Sequence, residues 1–252
     1  MRACDCSAYY GSPVPLELLE ELRDNQHVGL IIAQVYGGGP TGVGPNPYYR
    51  RTIQNAQEAG LLCAAYVWPP SATANAANLI LYGPDAPLLF CAIDVELRGQ
   101  VEITHVNELR SHGIAPVVYT SRGAWAELMA GNEEFARLPL WDASYRWGAS
   151  LEWPSAVHEA LWVPYGGWDH RVGWQFRGTT TAFGGSFDLN VFDDAWIAGL
   201  LAGEEGMTMP PQPTDLVNED RAYKIARYLR AEELRRLIAY FQTELVELEK
   251  LL

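Results

Sequence analysis

What most restricts the fold of this chain is an alternation. From residue 3 to about residue 202, apolar runs of strand length take turns with amphipathic segments of helix length. The strand candidates are 3–8, 29–35, 61–68, 88–96, 115–120, 138–142, 160–163 and 173–176, and the helix candidates are 15–25, 47–59, 72–81, 101–112 and 123–130. Strands that alternate with helices in this way predict a parallel sheet covered by its crossover helices. From about residue 131 the helical pattern fades, and aromatic, glycine-rich loops separate the strands instead. The reading is therefore an α/β fold, an incomplete TIM-like (β/α) barrel with a helix-poor last third, over residues 1–202.

A Pro-rich linker is expected at 203–217, where Met207-Thr208-Met209-Pro210-Pro211-Gln212-Pro213 cannot hold regular structure. Asn218 is a plausible N-cap, with Glu219 and Asp220 in the first turn of a C-terminal helix over 218–252. Its apolar positions Leu234, Ile238, Phe241, Leu245, Leu248 and Leu252 step by four and three, as in a short heptad pattern. That predicts a homo-oligomer or a protein partner through this helix.

Of the 252 residues, 48% are hydrophobic and 19% charged, which is an ordinary globular balance. A formal net charge of -13 without a Lys/Arg cluster argues against nucleic acid as partner. No apolar stretch approaches the roughly 20 residues of a membrane span. Met1-Arg2 leads almost directly into a strand-like run, so no signal peptide is expected, and synthesis in the cytoplasm with later action elsewhere is the corresponding reading. Cys4, Cys6, Cys63 and Cys91 all sit in apolar runs and read as buried thiols. The five histidines are scattered, so neither a metal site nor a cofactor is expected. Gly37-Gly38-Gly39-Pro40-Thr41-Gly42 matches a dinucleotide-binding pattern only formally, because Pro40, Pro45 and Pro47 stand where a helix should open.

The chemistry concentrates at Ala92-Ile93-Asp94-Val95-Glu96, which closes the apolar run Leu88-Leu89-Phe90-Cys91. A strand alternates its faces and rises about 3.3 Å per residue, so Asp94 and Glu96 share one side roughly 6 to 7 Å apart. Acids at the outlet of a buried parallel strand lie where barrel enzymes keep their active sites. Paired carboxylates at such a spacing suit glycoside hydrolysis, which needs one proton donor and one fixed negative charge. Clustered acids also repel one another and keep one member protonated. Trp141, Trp147, Trp153, Trp162, Trp168 and Trp174 crowd the helix-poor region. Aromatic rings beside a carboxylate floor suit a sugar groove, with Tyr66, Tyr119, Trp141 and Tyr145 expected to line it and Trp162 to fill the core.

Several motifs in order resemble the glycoside hydrolase family 25 lysozymes, the Chalaropsis-type muramidases of bacteriophages, bacteria and fungi. They are Asp5-Cys6-Ser7, Ala59-Gly60-Leu61 with Tyr66, Asp94-Val95-Glu96, Tyr119-Thr120, Trp141-Asp142-Ala143-Ser144-Tyr145, Trp174-Gln175-Phe176 and Asp188-Leu189-Asn190. The resemblance implies cleavage of the β-1,4 bond between N-acetylmuramic acid and N-acetylglucosamine in peptidoglycan, in a phage-type lysin. It implies Glu96 as general acid, Asp94 as charge stabiliser or orienter of the substrate acetamido group, and Asp5 and Asp188 as the rest of the floor, with Gln175 among the substrate-binding residues. Covalent and acetamido-assisted routes both remain open. Departures from the pattern are Tyr66-Val67-Trp68-Pro69 in place of Tyr-His-Phe, and the Gly/Pro-rich stretch 37–47. These leave room for a glycosidase of another polysaccharide, or for a glycan-binding module without catalysis.

Overall fold

The computed structural model describes residues 1–40, 42–68, 88–96, 100–145, 152–154, 162–180 and 184–203. The expected helix at 72–81, most of the linker, the C-terminal helix and Trp147 lie outside the described residues.

Seven strands run parallel in the order β1 (Arg2–Cys6), β2 (Val28–Gly39), β4 (Leu62–Val67), β5 (Cys91–Val95), β6 (Pro116–Thr120), β7 (Leu140–Ala143) and β8 (Gly173–Thr180). An eighth, β9 (Phe187–Phe192), pairs antiparallel with both β8 and β1 and closes the barrel. The short β3 (Gly42–Pro45) folds back on β2 as a hairpin. Between them come α1 (Leu16–Gln26), α2 (Tyr49–Glu58), α3 (Ile103–Ser111), α4 (Arg122–Met129) and, after β9, α5 (Asp194–Ala202).

The two-residue period of each strand sorts its side chains into two cores. On β5, Cys91, Ile93 and Val95 face the helical layer, together with Cys4 and Cys6 of β1, Ile31, Ala33 and Val35 of β2, and Cys63, Ala65 and Val67 of β4. Opposite parity fills the barrel interior with Ala3, Leu30, Ile32, Ala64, Phe90, Ala92, Val117, Trp141 and Phe192, below which Ile197 and Leu200 of α5 pack. At about 1.5–3 kcal/mol for each fully buried Val, Leu or Ile, these two layers supply the main drive for closure. The helices present matching stripes: Leu19 and Leu22 on α1; Tyr49, Thr52, Ile53 and Ala56 on α2; Val106 and Leu109 on α3. All four cysteines are free and buried, and burial pushes the Cys63 thiol up to about 12.

Three expectations need correction. The strand expected at 160–163 is not formed by Trp162 and Val163; Pro164 and the left-handed Gly166 and Gly167 make a turn there, with a lone bridge between Tyr165 and Trp168. Within the Gly/Pro-rich stretch 37–47, expected to be a loop, Gly37, Gly38 and Gly39 instead extend β2, and Gly42–Pro45 form β3 against it. The closing strand β9 was not expected, because Phe187-Asp188-Leu189-Asn190-Val191 carries polar residues at every second place. That alternation places Phe187, Leu189 and Val191 in the helix-side core and leaves Asp188 and Asn190 to face inward.

Between β7 and β8, among the described residues, aromatics and a buried ion pair cover the barrel. Asp142, at outward parity on β7, receives Arg171 Nη1 at 2.7 Å and the Tyr165 hydroxyl at 2.7 Å. The Arg171 guanidinium lies over the rings of Trp174 and Trp162. Trp162 is half-buried and packs against the helix-side core.

Candidate active site

The upper layer of the barrel interior is polar. Asp5 stands on β1 directly across the ladder from Asp188 on β9, and Asp94 pairs in register with Tyr119, which in turn pairs with Trp141. Because β9 runs antiparallel, its first residues reach the mouth where the parallel strands end, and Asp188 arrives there beside Asp5. Glu96 follows the last residue of β5. Its position is fixed from both sides: the Thr120 hydroxyl donates to the Val95 carbonyl at 2.8 Å, and the Trp68 indole N–H donates to the Glu96 carbonyl at 3.2 Å.

Two amides tie the floor together. Gln175 donates through Nε2 to Asp5 Oδ1 at 3.0 Å and to Asp188 Oδ2 at 3.3 Å. Its Oε1 accepts from Tyr119 at 2.8 Å and from Tyr145 at 2.6 Å. Asn190 donates to Asp5 Oδ1 at 2.8 Å and to the Asp188 carbonyl at 3.2 Å, and accepts from Trp141 Nε1 at 2.9 Å. By contrast, Asp94 Oδ1 is buried and has no hydrogen-bond partner among the described residues.

Burial is the first reason the acids resist ionisation. It lifts Asp5 well above the usual carboxylate range, with Asp188 and Glu96 adding repulsion while the Asn190 and Gln175 N–H groups pull the other way. Asp94 is lifted well above that range by burial, then by Glu96 and Asp5. Glu96 is raised by burial, drawn back by the nearby Tyr119 hydroxyl, and raised again by Asp188. The repulsion foreseen from sequence is real but comes second to desolvation. The same burial holds the phenols of Tyr66, Tyr119 and Tyr145 protonated, so all three remain donors.

The expected site residues thus divide by depth. Asp5, Asp94, Glu96 and Asp188 act on one another as charges and form one floor. Tyr66 and Tyr119 are buried beside it. Trp141 and Gln175 are each 1% exposed, so they brace the floor from beneath and do not line an open groove. Tyr145 is 59% exposed and offers a free ring face. It can lie close over β8 because residue 178 is glycine; a Cβ there would stand 3.0 Å from the phenol ring. Asn190, Thr120 and Trp68 stand in the motifs quoted from sequence but received no role there. Inward parity on a strand marks Asn190, but the partners of all three come from distant strands. Among the described residues no group of His, Cys, Asp and Glu is arranged to hold a metal ion.

A small acid-lined floor of this kind, with a half-buried carboxyl beside one that has an unpartnered buried oxygen, can deliver a proton and stabilise a developing positive charge. Comparisons agree with that chemistry. The family model described as Glycosyl hydrolases family 25 matches residues 41–184. The "Probable GH family 25 lysozyme 3" of Dictyostelium discoideum is 34% identical over 89 residues, which is 35% of this chain and 17% of that protein. This chain therefore matches less than a fifth of that relative's length. Among solved structures, the muramidase of Acremonium alcalophilum is similar with a TM-score of 0.56 at 19% identity, covering 79% of this chain and 98% of that one. The family GH25 lysozyme of Aspergillus fumigatus gives 0.56 at 19%, covering 79% and 97%. The CTP1L endolysin gives 0.54 at 22%, covering 80% and 70%.

Proposed function

Because the chain belongs to glycosyl hydrolases family 25, we propose that it is a peptidoglycan lysozyme, an N-acetylmuramidase that hydrolyses the β-1,4 bond between N-acetylmuramic acid and N-acetylglucosamine. The observation that carries this reading is the asymmetry of the floor. Glu96 is partly open and raised, as a proton donor must be near neutral pH. Asp94 is buried with one oxygen lacking a donor, which an amide N–H of an N-acetyl sugar would supply.

In this reading Glu96 gives its proton to the glycosidic oxygen as the C–O bond breaks. The positive charge that grows on the sugar left behind, at its anomeric carbon, is met by the carboxylates beneath it. Water then adds to that sugar, and the Glu96 carboxylate takes up the proton released, restoring the acid. The exposed ring of Tyr145 offers an apolar face to a sugar at the groove. The proposal extends to a lysin that works on the cell wall after release; the endolysin among the structural relatives supports this.

Purified peptidoglycan treated with the protein, then reduced with borohydride and hydrolysed, decides the bond. New muramitol ends are expected. New glucosaminitol ends would make it a glucosaminidase, and binding to the wall without any new ends would make it a glycan-binding module.

A further inference from the structure

We infer that Asn190, locked in one orientation by Trp141, is a positioning residue that holds Asp5 Oδ1 as a hydrogen-bond acceptor and favours its carboxylate form for catalysis. This rests on the hydrolase reading for its consequence but not for its geometry.

An asparagine amide has two ends of nearly equal size, and only its partners tell them apart. Here one partner settles the matter. An indole N–H can donate and cannot accept, so the Trp141 contact at 2.9 Å requires Asn190 Oδ1 on that side. Nδ2 is then turned to Asp5 and the Asp188 carbonyl, using both of its protons. Asn190 and Trp141 are 0% and 1% exposed, so no solvent stands ready to replace either contact. Toward Asp5 the amide is a donor only. Gln175 repeats the arrangement, its Oε1 engaged by two tyrosine hydroxyls and its Nε2 on the same Asp5 oxygen. A proton on Asp5 Oδ1 would meet two N–H groups head on.

The groups that face Asp5 come from every neighbouring strand: Asp188 from β9, Asp94 and Glu96 from β5 and its end, Tyr66 from β4, Tyr119 from β6 and Tyr145 beyond β7, while the Cys4 and Cys6 thiols of its own strand lie near it on the opposite face. All of these oppose charge on Asp5 or are neutral. The two amides are what counter them. On the other side of the floor, among the described residues, no amide reaches Asp94 Oδ1. The two amides therefore favour the charged form of Asp5 against its burial and the repulsion of its neighbours.

The test reads Asp5 directly. Carbon-13 carboxyl NMR of the full chain follows its titration in the wild type, Asn190→Leu and Trp141→Phe. A hydrogen bond to a charged group corresponds to about one pH unit or more, so the Asp5 midpoint should rise by about that much in Asn190→Leu. It should rise less in Trp141→Phe, where the amide is free to turn. On soluble peptidoglycan strands, the acid limb of the rate profile should move up with it, kcat should fall about tenfold, and KM should stay within about twofold. Folded variants with an unmoved Asp5 midpoint would overturn the assignment, whether or not the protein cuts glycan. If Asn190→Leu does not fold, Trp141→Phe alone decides. A moved midpoint in a protein whose wild type releases no reducing ends would uphold the assignment and count against the hydrolase reading alone.

Discussion

Glu96 owes its place to side chains that the strand pattern does not reveal. Its carbonyl is held by the Trp68 indole and the carbonyl before it by Thr120, so the strand end that carries the proposed acid is clamped from β4 and β6. A neutral hydrogen bond contributes about 1 kcal/mol. Trp68→Phe, which keeps an aromatic ring and removes only the N–H, should lower kcat by up to about fivefold with KM nearly unchanged, as steady-state kinetics on soluble glycan strands would show. At this scale Asp94 and Glu96 were legible as acids at a strand outlet, whereas Asp5 and Asp188 were named only through the family resemblance. The roles of Asn190, Thr120 and Trp68 were not legible, because each acts on a residue brought near only by strand order. Trp141 lies 49 positions from Asn190, and no local spacing announces their contact.

At the scale of elements, the parallel strands and most helices followed from apolar periodicity, whereas the last third departs from it. There, among the described residues, Arg171, Asp142 and tryptophans cover the barrel wall, and sequence periodicity carries no signal for such a cover. Both ends of the Asp142–Arg171 pair are nearly solvent-free, with side chains 2% and 1% exposed. Removing one partner of a buried pair leaves the other charge uncompensated, at a cost of about 3–5 kcal/mol. Arg171→Met should therefore destabilise strongly in urea titrations followed by circular dichroism. The double change Asp142→Val with Arg171→Met should recover most of that loss. Equal stability of the single and double variants would show that the pair is not coupled in this way. The closing strand was hidden for a related reason: Asp188 and Asn190 look like loop residues until the interior they face is known to be polar.

At the scale of the whole molecule, the floor costs stability where it works. Asp5, Asp94 and Glu96 are all raised above their ordinary values in the fold. Such groups favour the folded state below the unfolded carboxylate value near 4, and that contribution is lost as pH rises through the folded values. Self-repulsion at a net charge of -13 acts in the same sense. Scanning calorimetry should thus give a higher Tm at pH 5 than at pH 7.5. Asp94→Asn should raise Tm at pH 7.5 and lose that advantage at pH 4, the stability gained being the counterpart of activity lost. The barrel as a whole was legible because a closed parallel sheet must bury both faces, whereas the 218–252 helix, read from heptads, lies outside the described residues. The account rests above all on Glu96 as the group that protonates the bond being cut. Reducing-end release from purified peptidoglycan by Glu96→Gln, set beside the wild type at matched glycan binding, tests that directly. A loss of about 10² to 10⁴ in rate is the predicted result, and wild-type turnover by Glu96→Gln would contradict it.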